Sequence, residues 1–443
     1  MRRIGVTLGG FAALAAVLVV PLGERGRSLP LHAPLAATAS LTGIVNDAAG
    51  ARLARVDPNT FRVTRRSALV GYDDGWVRSP GGKFLAVSTY ASENDPISTL
   101  RFASAATLRW ARHGVRLDGS FRAATWPAAG RLVALVQVVD AGCCAPHFEL
   151  ETVDTVAKKV VARRTLEGTV FSVARSADGL VLLASPQSDI GMARLVAVSP
   201  DASTREVALE RILAGSFLPQ DAQSEGMGRI RQPGLAVDAG AGVAYVVDPG
   251  GLVAQVALGY LSVSYHQLSA SLLDRVAAWL TPAAQAKGAN GPTRSAAWLG
   301  DGLLLVAGRD ESAVRQADGT MLFSERPAGL EVVDTSDWSV QTLDPDADTA
   351  VVAEGALLAT GSSWRSDQNA SVGHGVAAYG PDGSLRWRLD GGSTRWVVTT
   401  YGRFAVVGGE SSQPYELVDL ATGKVVRSLG AQIFPALLLS TGS

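Results

Sequence analysis

The sequence predicts an all-β fold, a β-propeller of four-stranded antiparallel blades closed into a ring by strands from both ends of the chain. Eight blades are expected, with seven the alternative. Three observations carry this. A hairpin phrase, often with Asp at its turn, recurs eight times. A second unit, two apolar strands about a Gly- or Asp-rich turn, recurs seven times at intervals of about 50 to 60 residues. Helix-period patterning is scarce in a chain of 443 residues with 48 Gly, which suits short strands and tight turns.

Residues 1–39 read as a targeting segment. Arg2 and Arg3 precede an apolar run from Ile4 to Leu22, and Ala37-Thr38-Ala39 fits a small-residue cleavage site. A cleaved secretory signal would leave a mature chain starting near Ser40. The run also approaches the ~20 residues that span a bilayer, so an uncleaved anchor stands as the alternative. Either reading makes the body extracytoplasmic, secreted or attached to the cell envelope. A single propeller domain is expected over 41–441, and no later stretch is long and apolar enough to cross a membrane.

The hairpins align on the residue that ends their first strand. Asp57, Asp154, Asp334 and Asp419 each lie six residues before a Val, at Val63, Val160, Val340 and Val425. Looser copies begin at Arg101, Leu195, Val253 and Val376. Asp recurs here because its carboxylate accepts hydrogen bonds from the backbone that follows. The inner units begin at Gly75, Arg122, Phe171, Pro233, Arg294, Thr349 and Arg395. The hairpin from Arg52 to Arg65 lacks a complete inner pair. Leu41 to Val45 can supply one strand and Phe434 to Ser440 the other, which closes the ring and removes its open edges.

The hairpins "VDLATGKVV" and "GPDGSLRWRL" resemble the repeat of quinoprotein-type propellers, and "SPGGKFLAVS" and "SADGLVLLAS" are similar to WD40-like and YVTN-type bacterial propellers. The resemblance covers nearly all of the chain after residue 40. It implies the architecture, which hosts many activities. The covalent-haem motif C-x-x-C-H, a phosphate-binding loop and the WD dipeptide of true WD40 repeats are all absent from the sequence, so no cofactor is assigned. A vicinal cysteine pair is similar to one in some quinoprotein dehydrogenases. Its local sequence "AGCCAPH" matches no further, and cofactor binding does not carry over.

With strands named a to d from the ring's centre outward, the a–b and c–d turns lie on one face and are mostly tight. The long connections fall on the b–c and d–a side. Examples are Ser88 to Ser98, Asp140 to His147, Gly308 to Gly329, Gly361 to His374, Glu210 to Gln232 and Ser269 to Thr293. This elaborated face is the expected binding face, because loops on a rigid scaffold carry function. Candidate ligand-face residues are Glu93, Asp95, His147, Arg309, Asp310, Trp364, Arg365, Asp367 and His374. Ser271 as N-cap, a stripe of Leu272, Leu273, Val276, Trp279 and Leu280, and Pro282 as terminator predict a helix inserted near 269–293. Its apolar stripe suits a lid across the blades.

Cys143 and Cys144 are the only cysteines. In an exported protein they are expected as a strained vicinal disulfide, with free thiols or, together with His147, soft-metal ligation as the alternatives. Beyond that alternative, no metal ligands are assigned. His113, His147, His266 and His374 map to the elaborated face or its rim but to different blades, which favours ordinary surface histidines. The expected function is therefore an exported, non-catalytic propeller, a monomer, that binds a protein, glycan or small ligand through this face. The alternative is a funnel-sited enzyme of quinoprotein, lactonase or lyase type. Balanced charge, 40 basic against 41 acidic side chains, excludes a nucleic-acid partner, and the membrane enters only through the N-terminal segment.

Overall fold

A computed structural model describes residues 28–31 and 41–440, apart from 48–49, 58–59, 61, 91–96, 140–145, 178, 187–188, 218–228, 269–290, 317–319, 369, 411–412 and 429–433. The described chain is almost entirely antiparallel strand, with one 3₁₀ turn at Pro80–Gly82 and no α-helix among the described residues. The helix expected near 269–293 lies outside them, save that 291–293 open the strand Gly291–Gly300.

Strands follow one another from the inner to the outer edge of each sheet. Ser120–Ala128, Arg131–Val138, His147–Asp154 and Lys159–Leu166 pair in chain order, and so do Gly234–Asp238, Val243–Val247, Leu252–Ala257 and Ser262–Gln267. The sheet that begins at Arg395–Tyr401 repeats this, and so does the one that begins at Thr169–Arg175, with Arg229–Arg231 added at its edge. One long strand, Val63–Arg78, belongs to two such runs. Its first half pairs with Gly50–Val56 and its second half with Phe84–Tyr90.

The two ends of the chain meet as expected. Phe434–Ser440 pairs antiparallel with Leu41–Asp47, from Leu41 opposite Ser440 to Asn46 opposite Phe434. This puts a C-terminal strand in the innermost place of the first sheet and leaves no open edge at the seam.

The apolar patterning explains how the sheets stack. Leu132 to Val136 are all fully buried, where a strand with one wet face would alternate. Each b strand is covered on both faces because neighbouring sheets pack against it. One core cluster accordingly joins Val77, Leu100 and Phe102 of one sheet to Phe121, Leu132 and Val136 of the next. The outer strand Lys159–Leu166 is mostly exposed. Each fully buried Leu or Val contributes roughly 1.5–3 kcal/mol, so these inter-sheet cores dominate the fold's stability.

The recurrent Asp acts as its position implies. Asp154 Oδ1 accepts from the backbone N–H of Val156 and Ala157, both at 2.8 Å. Those hydrogen bonds, Ala157's foremost, hold its carboxyl below the ordinary value. Asp57, Asp334 and Asp419 make the same contacts with Thr60, Ser336 and Ala421. Four residues beyond this place the backbone turns left-handed, at Leu108, Lys158, Leu261, Trp338 and Gly423. One turn geometry is thus written at five positions with four residue types, and only Gly423 meets it without strain.

Three connections expected to be irregular are built differently. Residues of the connection Gly308 to Gly329 extend the strand Leu303–Arg315 and form Met321–Pro327, paired from Arg309 opposite Pro327 to Arg315 opposite Met321. Ala356–Arg365 and Ala370–Tyr379 form a second long hairpin where Gly361 to His374 was expected to loop. Thr204–Phe217 runs well past Glu210. Their polar composition suggests loops, but a hairpin that stands clear of the core needs no apolar alternation to pair.

Candidate functional site

The two long hairpins meet. Met321–Pro327 pairs with Ala356–Arg365 through Ser324 opposite Arg365 and Glu325 opposite Trp364, which joins two neighbouring strand sets into one nine-stranded sheet. This crest on the elaborated face gathers most of the expected ligand-face residues: Arg309, Asp310, Trp364, Arg365, Asp367 and His374.

Their charges are largely matched to one another. Arg309 reaches three partners, Asp348 at 2.8 Å and Glu325 and Ser362 at 3.4 Å. Asp348 is nearly inaccessible to water and also accepts the Ser362 backbone N–H at 3.2 Å and the Thr349 hydroxyl at 2.8 Å. Asp310 lies 3.0 Å from Arg294 and 3.7 Å from Arg326. Arg365 pairs with Asp367 at 2.7 Å, and His374 Nε2 lies 3.3 Å from Ser363 Oγ. Burial pushes the Glu311 carboxyl up, and Glu325 adds to this while Arg309 opposes it. Such a surface is polar, and most of its acids and bases are paired with one another.

At the foot of the crest lies a cavity of about 160 Å³ lined by Arg309, Asp348, Ser362, Thr394, Arg395 and Trp396 among others. It sits where b strands end and the next a strands begin, at Ala356–Arg365 and Arg395–Tyr401. The Arg395 side chain is buried, with Nη2 paired to Asp390 and 3.3 Å from Glu416. Its Nε and Nη1, and Thr394 Oγ1, are buried without a hydrogen-bond partner. Trp396 beside them is 39% exposed. Orphaned buried donors are costly and call for an explanation.

His147 falls elsewhere, on the strand His147–Asp154, where its Nε2 is 3.3 Å from Glu149. Alternation places His147, Glu149 and Glu151 on one side of that strand. Among the described residues, Asp118, Glu149 and Glu151 form a group of carboxylates with metal-ligand spacing, their oxygens within 4.8 Å of one another. Arg163 already supplies positive charge there, 2.8 Å from Asp118 and 3.4 Å from the fully buried Glu151. Burial pushes the Glu151 carboxyl up, against the lowering effect of the Asp118 backbone N–H. The site is an ion-pair network between sheets that can also hold a hard divalent ion. Of this group only His147 was expected from the sequence; the His-x-Glu-x-Glu alternation was the available signal.

The other histidines do not converge. His266 stacks on Trp338 with ring centroids 3.9 Å apart, and His113 is exposed. Cys143, Cys144, Glu93 and Asp95 lie outside the described residues. A larger cavity, about 830 Å³, opens on the opposite face between a–b and c–d turns, among Arg78, Trp126, Arg131, Asp154 and Asp201. Its two aspartates are turn residues whose carboxylates already accept hydrogen bonds, Asp201 from Ser203.

No protein-family model matches the chain, and no curated protein matches it. Among solved structures it is similar to a dihydro-heme d1 dehydrogenase, NirN, in complex with DHE, at 13% identity over 92% of this chain and 78% of that one, with a TM-score of 0.52. A weaker likeness, TM-score 0.39 at 12% identity over 83% of this chain and 98% of the other, is to the β-propeller domain of Cps50 (Swd1) from Myceliophteria thermophila. At such identities the likeness speaks to fold alone. Nearly all-β composition, serial four-stranded antiparallel sheets and a seam closed by strands from both ends of the chain make the protein a β-propeller.

Proposed function

We propose that the protein is an exported, non-catalytic propeller of eight blades that binds a polar ligand, a glycan or other small molecule, at its elaborated face. The cavity at the foot of the crest is the seat. The observation that carries this reading is a cavity lined by the polar side chains of Arg309, Asp348, Ser362, Thr394 and Arg395 beside the half-exposed Trp396. Such a lining offers hydrogen bonds to a ligand's hydroxyls, and an indole at the rim offers an apolar face to a sugar ring. Two cations and several acids surround the cavity, so neutral polyols suit it better than strong anions. The crest supports binding over chemistry, since its titratable groups are held in mutual ion pairs rather than poised on a reacting atom.

The test is a thermal-shift and calorimetric screen of mono- and oligosaccharides and small carboxylates. Trp396→Ala should abolish the binding of any ligand found, with little change in fold. Arg131→Glu, on the opposite face, should leave it intact. Binding that survives Trp396→Ala and disappears in Arg131→Glu would move the function to the turn face.

A further inference from the structure

Residues 28–31 lie well before the first strand of the ring yet join its core. Leu29 is 4% exposed and belongs to the cluster between two neighbouring sheets, with Leu299, Leu303, Leu330, Leu357 and Tyr379. Leu31 packs against the same cluster. The Leu29 backbone N–H donates to the Pro381 carbonyl, which also accepts the Ser28 hydroxyl at 3.3 Å. Pro30 covers Gly300, where a side chain would come within 3.6 Å of the Pro30 ring. Pro381 sits in the c–d turn before Leu385–Leu389, and Gly300 ends its strand at the a–b turn before Leu303–Arg315. The segment therefore docks across the tight turns of two neighbouring sheets, on the face opposite the crest. Leu41, ten residues on, starts from the same face, since it pairs with Val56 just before the Asp57 turn.

We propose that residues 28–31 are a clasp retained on the mature protein, holding the turn face of the propeller against the lipid bilayer entered by the apolar run 4–22. Cleavage after Ala39 would strip Leu29 from the ring and open the end of an inter-sheet core to water. A buried leucine with a paired backbone is not how a discarded leader is held. Leu29 lies seven positions after Leu22, and a chain extends at most about 3.6 Å per residue. The clasp is thus within about 25 Å of the end of the apolar run, and the crest points away from the membrane. The clasp is independent of the ligand reading, and its failure would leave the crest-foot cavity untouched.

The test uses the full chain in its native host. Protein extracted from the membrane fraction should keep the apolar run 4–22, beginning at or near Met1 by N-terminal sequencing and intact mass, and should resist a high-salt and carbonate wash. A mature chain that has lost this run, whether it begins near Ser28 or near Ser40, would overturn the proposal. In the detergent-solubilised full chain, Leu29→Asp should lower the thermal midpoint by about 2–4 °C while Leu29→Met keeps it near wild type. A midpoint unmoved by Leu29→Asp would overturn the clasp even in a retained N-terminus. Ligand binding at the crest should be the same in both variants.

Discussion

Replacing Arg309 with Met removes the cation that holds the crest to the ring. Asp348 has 2% of its side chain exposed, and Arg309 Nε is its ion-pair partner at 2.8 Å. The Ser362 N–H and the Thr349 hydroxyl remain in the variant, so the carboxylate keeps two neutral donors. Removing one partner of a fully buried pair costs about 3–5 kcal/mol. Arg309 is 39% exposed, and water can enter where the guanidinium was. The expected cost is therefore nearer 2 kcal/mol, with about 1 kcal/mol recovered when Asp348→Asn is added. Equilibrium urea unfolding of the wild type, both single variants and the double variant measures this as a double-mutant cycle. A coupling below about 0.5 kcal/mol would refute the view that a buried ion pair pins the crest.

Three further outcomes are expected. Gly423→Ala should cost about 2 kcal/mol, because φ is +68° there and a Cβ would lie 2.6 Å from the Trp387 ring; a neutral result would show that the hairpin turn readily rearranges. Deleting residues 434–443 removes the strand paired with Leu41–Asp47 and should cost several kcal/mol, so an unchanged thermal midpoint would contradict ring closure. Glu151 has its carboxyl raised above 4.5 by burial, so the folded state holds that proton more tightly than the unfolded state does. Its contribution to stability is fully present below about pH 4.5 and is lost as pH rises through the raised folded value. Glu151→Gln should flatten that slope and be neutral or stabilising at pH 7, and a steeper slope in the variant would contradict the buried-acid account.

The ring was legible because its grammar is local. Asp154, Asp334 and Asp419 mark turns through contacts two or three residues away, and an apolar run such as Leu132 to Val136 marks a strand covered on both sides. The crest was not legible. "RDESAVR" carries charges typical of a loop, and its pairing partners lie across a turn and in the next strand set. Candidate residues Arg309, Asp310, Trp364, Arg365, Asp367 and His374 nonetheless fall together on the two long hairpins, because the lengths of connections are visible in a repeat. Their mutual ion pairing was not visible, since it depends on how hairpins from two strand sets meet. Arg395 and Thr394 were missed for the same reason: each looks like an ordinary strand-end polar residue until the neighbouring sheet encloses it. Glu149 and Glu151 show the converse limit, polar alternation that suggests a wet face but lies between sheets.

The most direct test of the central claim is hydrogen–deuterium exchange of the full-length protein with and without a ligand found in the screen. Slower exchange is predicted in peptides covering 309–315, 360–365 and 394–398, around Arg309, Ser362 and Arg395, with residues 125–131 and 154–156 unchanged. Protection confined to 125–131 and 154–156 would contradict the account and place recognition in the cavity on the turn face.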